Sequence, residues 1–485
     1  MFTSMMRRAY LLGANLDGPV VFGSGKPSIF ISDVIDGTDS LDIIVLGDSN
    51  TASGGKAGNG FWGYHNGISQ ALTNLGAQIY GTPIYPAMTD WFDSVPATGF
   101  GIGGWRGGCN IYSKSASGGL QNGNKTGGAT PYAEWTPATV WNRYGNYGAT
   151  PDPSNESWAY IASGDTYSQA YNAVELAETH PLNKNGQTLY HRVRHGQFSA
   201  SGGSFRGRAR AYAGSPVYAT GPVENTQGSN PFALYEYSFT LSSSPSVYIH
   251  VSWSGGATAA GPVAIHSHSV YAKQIGFAVT SHGYFSGGDS DTIRSEMVGI
   301  EPNSTVWTFR RHLQELRERQ IAAGGSGRVL LVMHSGINGN ETSADWTKAH
   351  GDIRDKYLSA WQALGYPVDD FAVLSWVGVQ SNAADNSNSG SGGNLIAVRN
   401  DAITFGKSNP LTHTVVDVKS LMNYSGLLYG TGFGASYYQR YNNVPDSGTD
   451  ITVHLSGGGS GANVHVNDGY TVISQLILTS LLSAE

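Results

Sequence analysis

A serine, two late histidines and a few loop glycines and amides are the residues of this chain whose types and spacing could do chemistry. Ser49 stands in Gly47-Asp48-Ser49-Asn50, directly after the apolar run that begins at Leu41. A serine hydroxyl is a weak nucleophile until a base takes its proton, and the carbonyl it attacks develops a charge that N–H donors must meet. His454 and His465 are the candidate bases. Other chemistries lack their motifs. There is no Gly-x-Ser-x-Gly nucleophile elbow and no His-Glu-x-x-His, and GSGKPS at 23–28 lacks the glycine spacing of a phosphate-binding loop. His266 and His268 alternate as metal ligands can, but without a third candidate, so neither a metal nor a cofactor is expected.

These residues need elements that bring them to one place. LDIIVLGDSN (41–50) is a short apolar run without alternation, which fits a strand buried on both faces of a parallel sheet. Residues 61–75 then place Trp62, Ile68, Ala71, Leu72 and Leu75 at helical spacing. The same strand-then-helix order returns later. KQIGFAVTSHG (273–283), RVLLVMHSG (328–336), FAVLSWVGV (371–379) and HTVVDV (413–418) read as strands. Helices are expected over 304–320, with Ser304 as N-cap and Val306, Phe309, Leu313 and Leu316 on one face, over 346–364, and from about Tyr470 onward. The tract DNSNSGSGGN (385–394) reads as a loop. This is an α/β pattern, a parallel sheet with helices on both faces. Its strand ends at 47–49, 283–287 and 336–338 would lie side by side at the carboxyl edge, where open α/β sheets bind ligands.

Between about 98 and 270 the periodicity changes. SFRGRARAY (204–212), ALYEYSFTL (233–241) and SVYIHVSW (246–253) alternate with period two, bounded by Ser, Gly and Pro clusters, as antiparallel strands do. The expected organisation is an N-terminal arm over 1–40, an α/β domain over 41–98 and 271–485, and an inserted all-β domain over 99–270. The insert is expected to emerge on the carboxyl edge and wall the cleft. Aromatic residues around Trp105, Trp135 and Trp141 could there stack on sugar rings.

On these residues the chain resembles the SGNH (GDSL-type) hydrolases, a family of serine esterases and lipases. The resemblance covers 41–98 and 271–485 and not the insert. It implies a flavodoxin-like three-layer sandwich, with Ser49 as nucleophile and its own N–H as an oxyanion donor. In SHGYFSGGDSDTI (281–293), Gly287, with Gly288 next, matches the glycine whose N–H serves the oxyanion hole. In GINGN, Asn338 matches the asparagine donor, but Gly339 replaces the family's following Asp. His465 matches the base that precedes the last helix. Ala462 stands where the family has Asp, so Asp450 or Asp446 is expected to orient the imidazole from the preceding loop. His454, four residues after Asp450, is the alternative base.

Composition narrows the setting. The 485 residues include 66 glycines, about twice the usual share, one cysteine, and only 28 basic and 35 acidic side chains. One cysteine excludes an intramolecular disulfide framework. A net charge of −7 argues against nucleic acid, and no apolar run is long enough to span a membrane. MFTSMMRRAYLLG at the start has too short an apolar run for a signal peptide. By compositional analogy the protein is expected to be extracellular or virion-associated, and a homo-oligomer or a virion assembly both stay open. The expected function is hydrolysis of an ester, an O-acetyl group first, on a carbohydrate or similar polar substrate. The alternative is a non-catalytic glycan-binding or virion structural protein that keeps the fold.

Overall fold

The computed structural model describes residues 19–47, 64–86, 180–197, 204–211, 217–230, 232–242, 247–253, 263–283, 290–291, 294, 310–335, 342–378, 395–424 and 469–483, with six short strands between 109 and 176. Its centre is a six-stranded mixed sheet. The strands are β1 (Val21–Gly23), β2 (Leu41–Gly47), β3 (Phe277–Gly283), β4 (Arg328–Ser335), β5 (Phe371–Val377) and β6 (Thr414–Val416), in the order β1-β6-β5-β4-β2-β3. Pairing is parallel from β6 to β3, and β1 closes the far edge antiparallel to β6. Counted along the chain, the parallel strands lie second, first, third, fourth, fifth, which is the flavodoxin-like order. The order reverses between β2 and β4.

Side-chain parity explains the layers. Ile43, Val45, Leu330, Val332, Ala372, Leu374 and Val416 point to one face, where α1 (Lys26–Asp36), α2 (Tyr64–Asn74) and α7 (Gly469–Ser483) cover them. Ile44, Leu46, Val329, Leu331, Met333 and Val373 point to the other, under α3 (Arg310–Ala323) and α4 (Ser343–Ala363). Both faces being covered, β2 is buried along its whole length, as its unbroken apolar run requires. α5 (Leu395–Ser408) packs Val398 and Ala402 against Trp346 of α4 and Val415 of β6. A short α6 (Val418–Tyr424) follows. Among the described residues no helix is long and apolar enough to cross a membrane.

The first 40 residues, expected as an arm, are from Pro19 onward part of the α/β unit. Val21–Gly23 is the edge strand, and α1 buries Phe30, Ile31, Val34 and Ile35 on the sheet. Pro27 sits in the first turn, where its missing N–H costs nothing, and Gly37, at φ 71°, ends the helix in the left-handed region. Phe30, Ile31, Val34 and Ile35 of α1 stand at helical spacing, a signal that the reading of 1–40 as an arm passed over.

The β part forms two large antiparallel sheets and a two-stranded pair, 146–147 with 150–151. One joins strands 233–240, 188–196, 263–271 and Tyr85–Pro86, with 159–161 also on 263–271. The other joins 217–220, 204–211, 247–253, 173–176, 109–114 and 120–122. Leu189, Val193, Tyr235, Tyr237 and Phe239 of the first share a core with Phe205, Ala209, Val247 and Ile249 of the second.

The crossings between the two parts differ from expectation. Ile79 bridges to Phe277, the first residue of β3, and Gly81 bridges to Tyr271, so the chain crosses at the amino edge of the sheet and not at the carboxyl edge. A helix after β2 must run back to that edge before a parallel neighbour can start, and the insert is placed after this helix. From there residues 79–85 run beside β3, and strand 263–271 pairs with their far side. Ala272 N–H donates to Tyr80 O at 2.8 Å and Tyr80 N–H to Phe277 O at 3.0 Å, while Ile84 N–H reaches Thr280 Oγ1 and Tyr85 pairs with His268. The sandwich therefore rises beside β3 toward the carboxyl edge.

Charged rivets hold this docking. Arg192 and Arg194, on the outer face of strand 188–196, both donate to Glu315 and Glu318 of α3. The Arg192 Nε to Glu315 contact is 2.7 Å. Burial alone would raise the Glu315 carboxyl, but the two guanidinium groups outweigh it and hold the group below its ordinary value. Nearer the amino edge, Arg319 bonds Asp42 at 2.5 Å and Thr82 O at 2.6 Å, and Tyr80 donates to Asp42.

Candidate active site

At the carboxyl edge the strand ends are level. Gly47 of β2 pairs with Gly283 of β3 on one side and His334 of β4 on the other, and Ser335 pairs with Val377 of β5. Adjacent strands lie about 4.8 Å apart, so β3, β2 and β4 end within about 10 Å of one another. Segments 48–63, 284–289 and 336–341 leave from these three ends. The reversal of strand order between β2 and β4 makes their junction the position where a crevice opens in a doubly wound sheet.

An aromatic cluster lies under that junction. The Tyr64 ring meets His334 at 4.6 Å, Trp376 at 5.0 Å and Tyr470 at 5.2 Å between centroids, and His334 meets Trp376 at 5.6 Å. All four side chains are buried. They come from four elements: the start of α2, the ends of β4 and β5, and the start of α7. Gly67 allows this approach. A Cβ there would lie 2.5 Å from Tyr470 O and 2.8 Å from Ser474 Oγ, so only hydrogen lets α2 and α7 come so close. Segment 48–63, which contains Ser49, ends at Tyr64, and segment 425–468, which contains His465, ends just before α7. Both are rooted in this cluster.

On the opposite face of β4 a polar chain is buried. Ser290 Oγ lies 2.6 Å from Ser335 Oγ, and Ser335 Oγ lies 2.7 Å from His350 Nε2 of α4. Trp346 stacks on the His350 ring at 3.8 Å. Burial, then the nearby His413 and His334, push His350 well below its ordinary pKa, so its ring is neutral. A second buried pair, Ser375 Oγ with His413 Nε2 at 2.6 Å, joins β5 to the turn before β6.

Ser49, Gly287, Asn338, Asp446, Asp450, His454 and His465 lie outside the described residues, as do Gly288, Trp105, Trp135 and Trp141. The structure describes the ends of the elements that carry several of them: Gly47, two residues before Ser49; Ser290, three after Gly287; Ser335, three before Asn338; and Tyr470, five after His465. His268 faces His191, with Nδ1 to Nε2 at 3.3 Å, and burial takes it down to about 3. Among the described residues no group of three or more His, Cys, Asp or Glu stands where it could hold a metal.

Sequence reasoning missed Ser335, His350 and the aromatic cluster. Ser290 was visible only as the end of a second Gly-Asp-Ser, Gly288-Asp289-Ser290, which reads as a loop. Its hydroxyl's partner is 45 positions away, a pairing no local pattern encodes.

No protein-family model matches the chain, and no curated protein matches it. The solved structures it is similar to include a peptidoglycan O-acetylesterase, at 12% identity and a TM-score of 0.47, with 96% of this chain and 99% of that one covered. A xylan-binding domain from Paenibacillus barcinonensis aligns with 24% of this chain and 72% of its own, at 10% identity and a TM-score of 0.17. A mannan-recognising carbohydrate-binding module aligns with 24% of this chain and 74% of its own, at 13% identity and a TM-score of 0.17. These likenesses are too distant to assign a family or an activity to this chain.

Proposed function

We propose that this protein is a serine ester hydrolase of the SGNH type that removes ester groups, O-acetyl groups first, from a carbohydrate. One observation carries the reading. The strand that leads into Gly47-Asp48-Ser49 is the first parallel strand of a flavodoxin-like sheet, and its carboxyl end is level with the ends leading to Gly287 and Asn338. Two residues of chain reach no farther than about 7 Å, so Ser49 is tethered to the switch point by covalent geometry.

In this reading the Ser49 hydroxyl attacks the ester carbonyl and His465 takes its proton, with Asp450 orienting the imidazole. The N–H groups of Ser49 and Gly287 and the Asn338 amide meet the oxyanion. His465 returns the proton to the departing sugar hydroxyl, leaving an acyl-enzyme. Water, deprotonated by the same histidine, then releases the acid and restores Ser49. The rooting of segments 48–63 and 425–468 in one aromatic cluster supports a late histidine acting on an early serine. It favours His465, four residues before α7, over His454. The sandwich rising beside β3 suits a polysaccharide, which needs a long wall beside the reacting bond. We place its action outside the cell or on a virion.

The test is hydrolysis of p-nitrophenyl acetate and acetate release from an acetylated polysaccharide, by wild type and Ser49→Ala. Loss of both activities in the variant supports the reading; equal rates overturn it. The departures at Gly339 and Ala462 favour a second reading, a glycan-binding protein without turnover. A serine-reactive phosphonate separates the two: stoichiometric labelling at Ser49 supports the enzyme, and folded protein that stays unlabelled supports the binder.

A further inference from the structure

We propose that Ser335 is a positioning residue that sets the spacing of the two oxyanion-donor segments, by bonding the hydroxyl of Ser290 on one side and the ring of His350 on the other. This deepens the esterase reading and rests on it. Ser290 follows Gly287 by three residues and Ser335 precedes Asn338 by three, so their 2.6 Å contact ties together the roots of segments 284–289 and 336–341. Without it those segments share no described tie above the β-sheet, because β3 and β4 are not neighbours; β2 lies between them.

The anchor is stiff. His350 lies on α4, in a helix whose N-cap Thr342 accepts from Asp345 N–H, and Trp346 stacks on its ring one turn earlier. Among the described residues the ring has a single hydrogen-bond partner, Ser335, and its Nδ1 has none. A buried N–H left without an acceptor is rarer than a bare lone pair, so the proton belongs on Nε2. The chain then runs in one direction: His350 Nε2–H donates to Ser335 Oγ, and the Ser335 hydroxyl donates to Ser290 Oγ. Ser290, Ser335 and His350 are all nearly inaccessible to solvent, so they do not touch substrate. Their effect on the reaction passes through the aim of Gly287 N–H and the Asn338 amide. Oxyanion donors act on the transition state far more than on the bound ester, and loss of one costs about 10²–10³ in kcat.

The experiment uses the full chain, p-nitrophenyl acetate, and the variants Ser335→Ala, Ser335→Thr, Ser290→Ala and Ser375→Ala. Ser375 makes a buried hydroxyl–histidine pair of the same kind that ties neither donor segment, so its variant controls for the loss of such a pair in the same region of the core. Expected are a fall in kcat of about tenfold to a hundredfold in Ser335→Ala and Ser290→Ala with KM within about twofold, substantial recovery in Ser335→Thr, and kcat near wild type in Ser375→Ala. Ser335→Ala and Ser290→Ala variants that fold and keep a kcat no lower than that of Ser375→Ala overturn the proposal. A wild type that hydrolyses the ester with Ser49 dispensable overturns the esterase reading instead, and the two failures are thereby distinct. Should Ser335→Ala not fold, Ser290→Ala decides alone.

Discussion

Tyr64 and Tyr470 meet edge to face, with ring centroids 5.2 Å apart at 81°, across the contact between α2 and α7. An early helix and the last helix of the chain are thus in direct contact beneath the carboxyl edge of the sheet. Gly67, one turn into α2, is the position where their backbones come closest.

Gly67→Ala would drive a methyl group into Tyr470 O and Ser474 Oγ, atoms that belong to a buried helix and have little room to retreat. Overpacking of this kind costs about 1–3 kcal/mol. The expected result is a lower urea midpoint together with reduced esterase turnover, because both proposed catalytic segments are rooted at this contact. A variant with wild-type midpoint and turnover would show that the helices do not meet this closely.

Arg319→Met would leave Asp42 buried beside Tyr80 without its counter-charge. Breaking a buried pair from one side costs about 3–5 kcal/mol. Burial pushes the Asp42 carboxyl up, with Arg319 and Tyr80 opposing, so without Arg319 the group holds a proton in the folded state. The unfolded chain releases that proton at neutral pH, so the penalty relative to wild type should be larger at pH 8 than at pH 5. Urea unfolding of both proteins at the two pH values checks this, and the Asp42→Asn/Arg319→Met double variant should recover part of the loss.

Acid should destabilise the fold well above the range where carboxylates titrate. Burial lowers His180, His268, His312 and His413 to about 3, and His195 to about 4, against an ordinary value near 6.5. The folded state therefore binds fewer protons than the unfolded chain between these values, and stability falls as pH drops below 6.5. The Glu315 carboxyl, held below its ordinary value by Arg192 and Arg194, adds stability that is lost only at lower pH, as it falls below about 4.5 and through the folded-state value. Urea midpoints at pH 7.5, 6.0 and 5.0 should decline steadily. A profile that is flat to pH 5 and drops only below 4.5 would assign acid sensitivity to carboxylates alone.

Much of the α/β part was legible because its strands are buried on both faces. An unbroken apolar run such as Ile43–Leu46 is the direct record of two covering layers, and its abrupt end in Gly-Asp-Ser marked the edge where chemistry was expected. The alternation in 233–241 likewise recorded a sheet with one buried face, and the strand Ala233–Thr240 has that pattern of burial. Less was legible in α1 and α5. α1 depends on the sheet and α7 for its buried face, and α7 comes from the far end of the chain.

The sequence by itself determined the strands buried on both faces of the α/β sheet, the helices with a clear apolar face, and the serine, glycine, asparagine and histidine candidates that a serine esterase would need. These are properties of local periodicity and residue type, which the chain carries wherever it folds. Only the tertiary structure decided the strand order that puts β2 between β3 and β4, the amino-edge crossing of the insert, and the pairing of Ser335 with Ser290 and His350. Those relations join residues far apart in the chain through packing and hydrogen bonds. Such partners are chosen by space and burial, and neighbouring residues carry no trace of them.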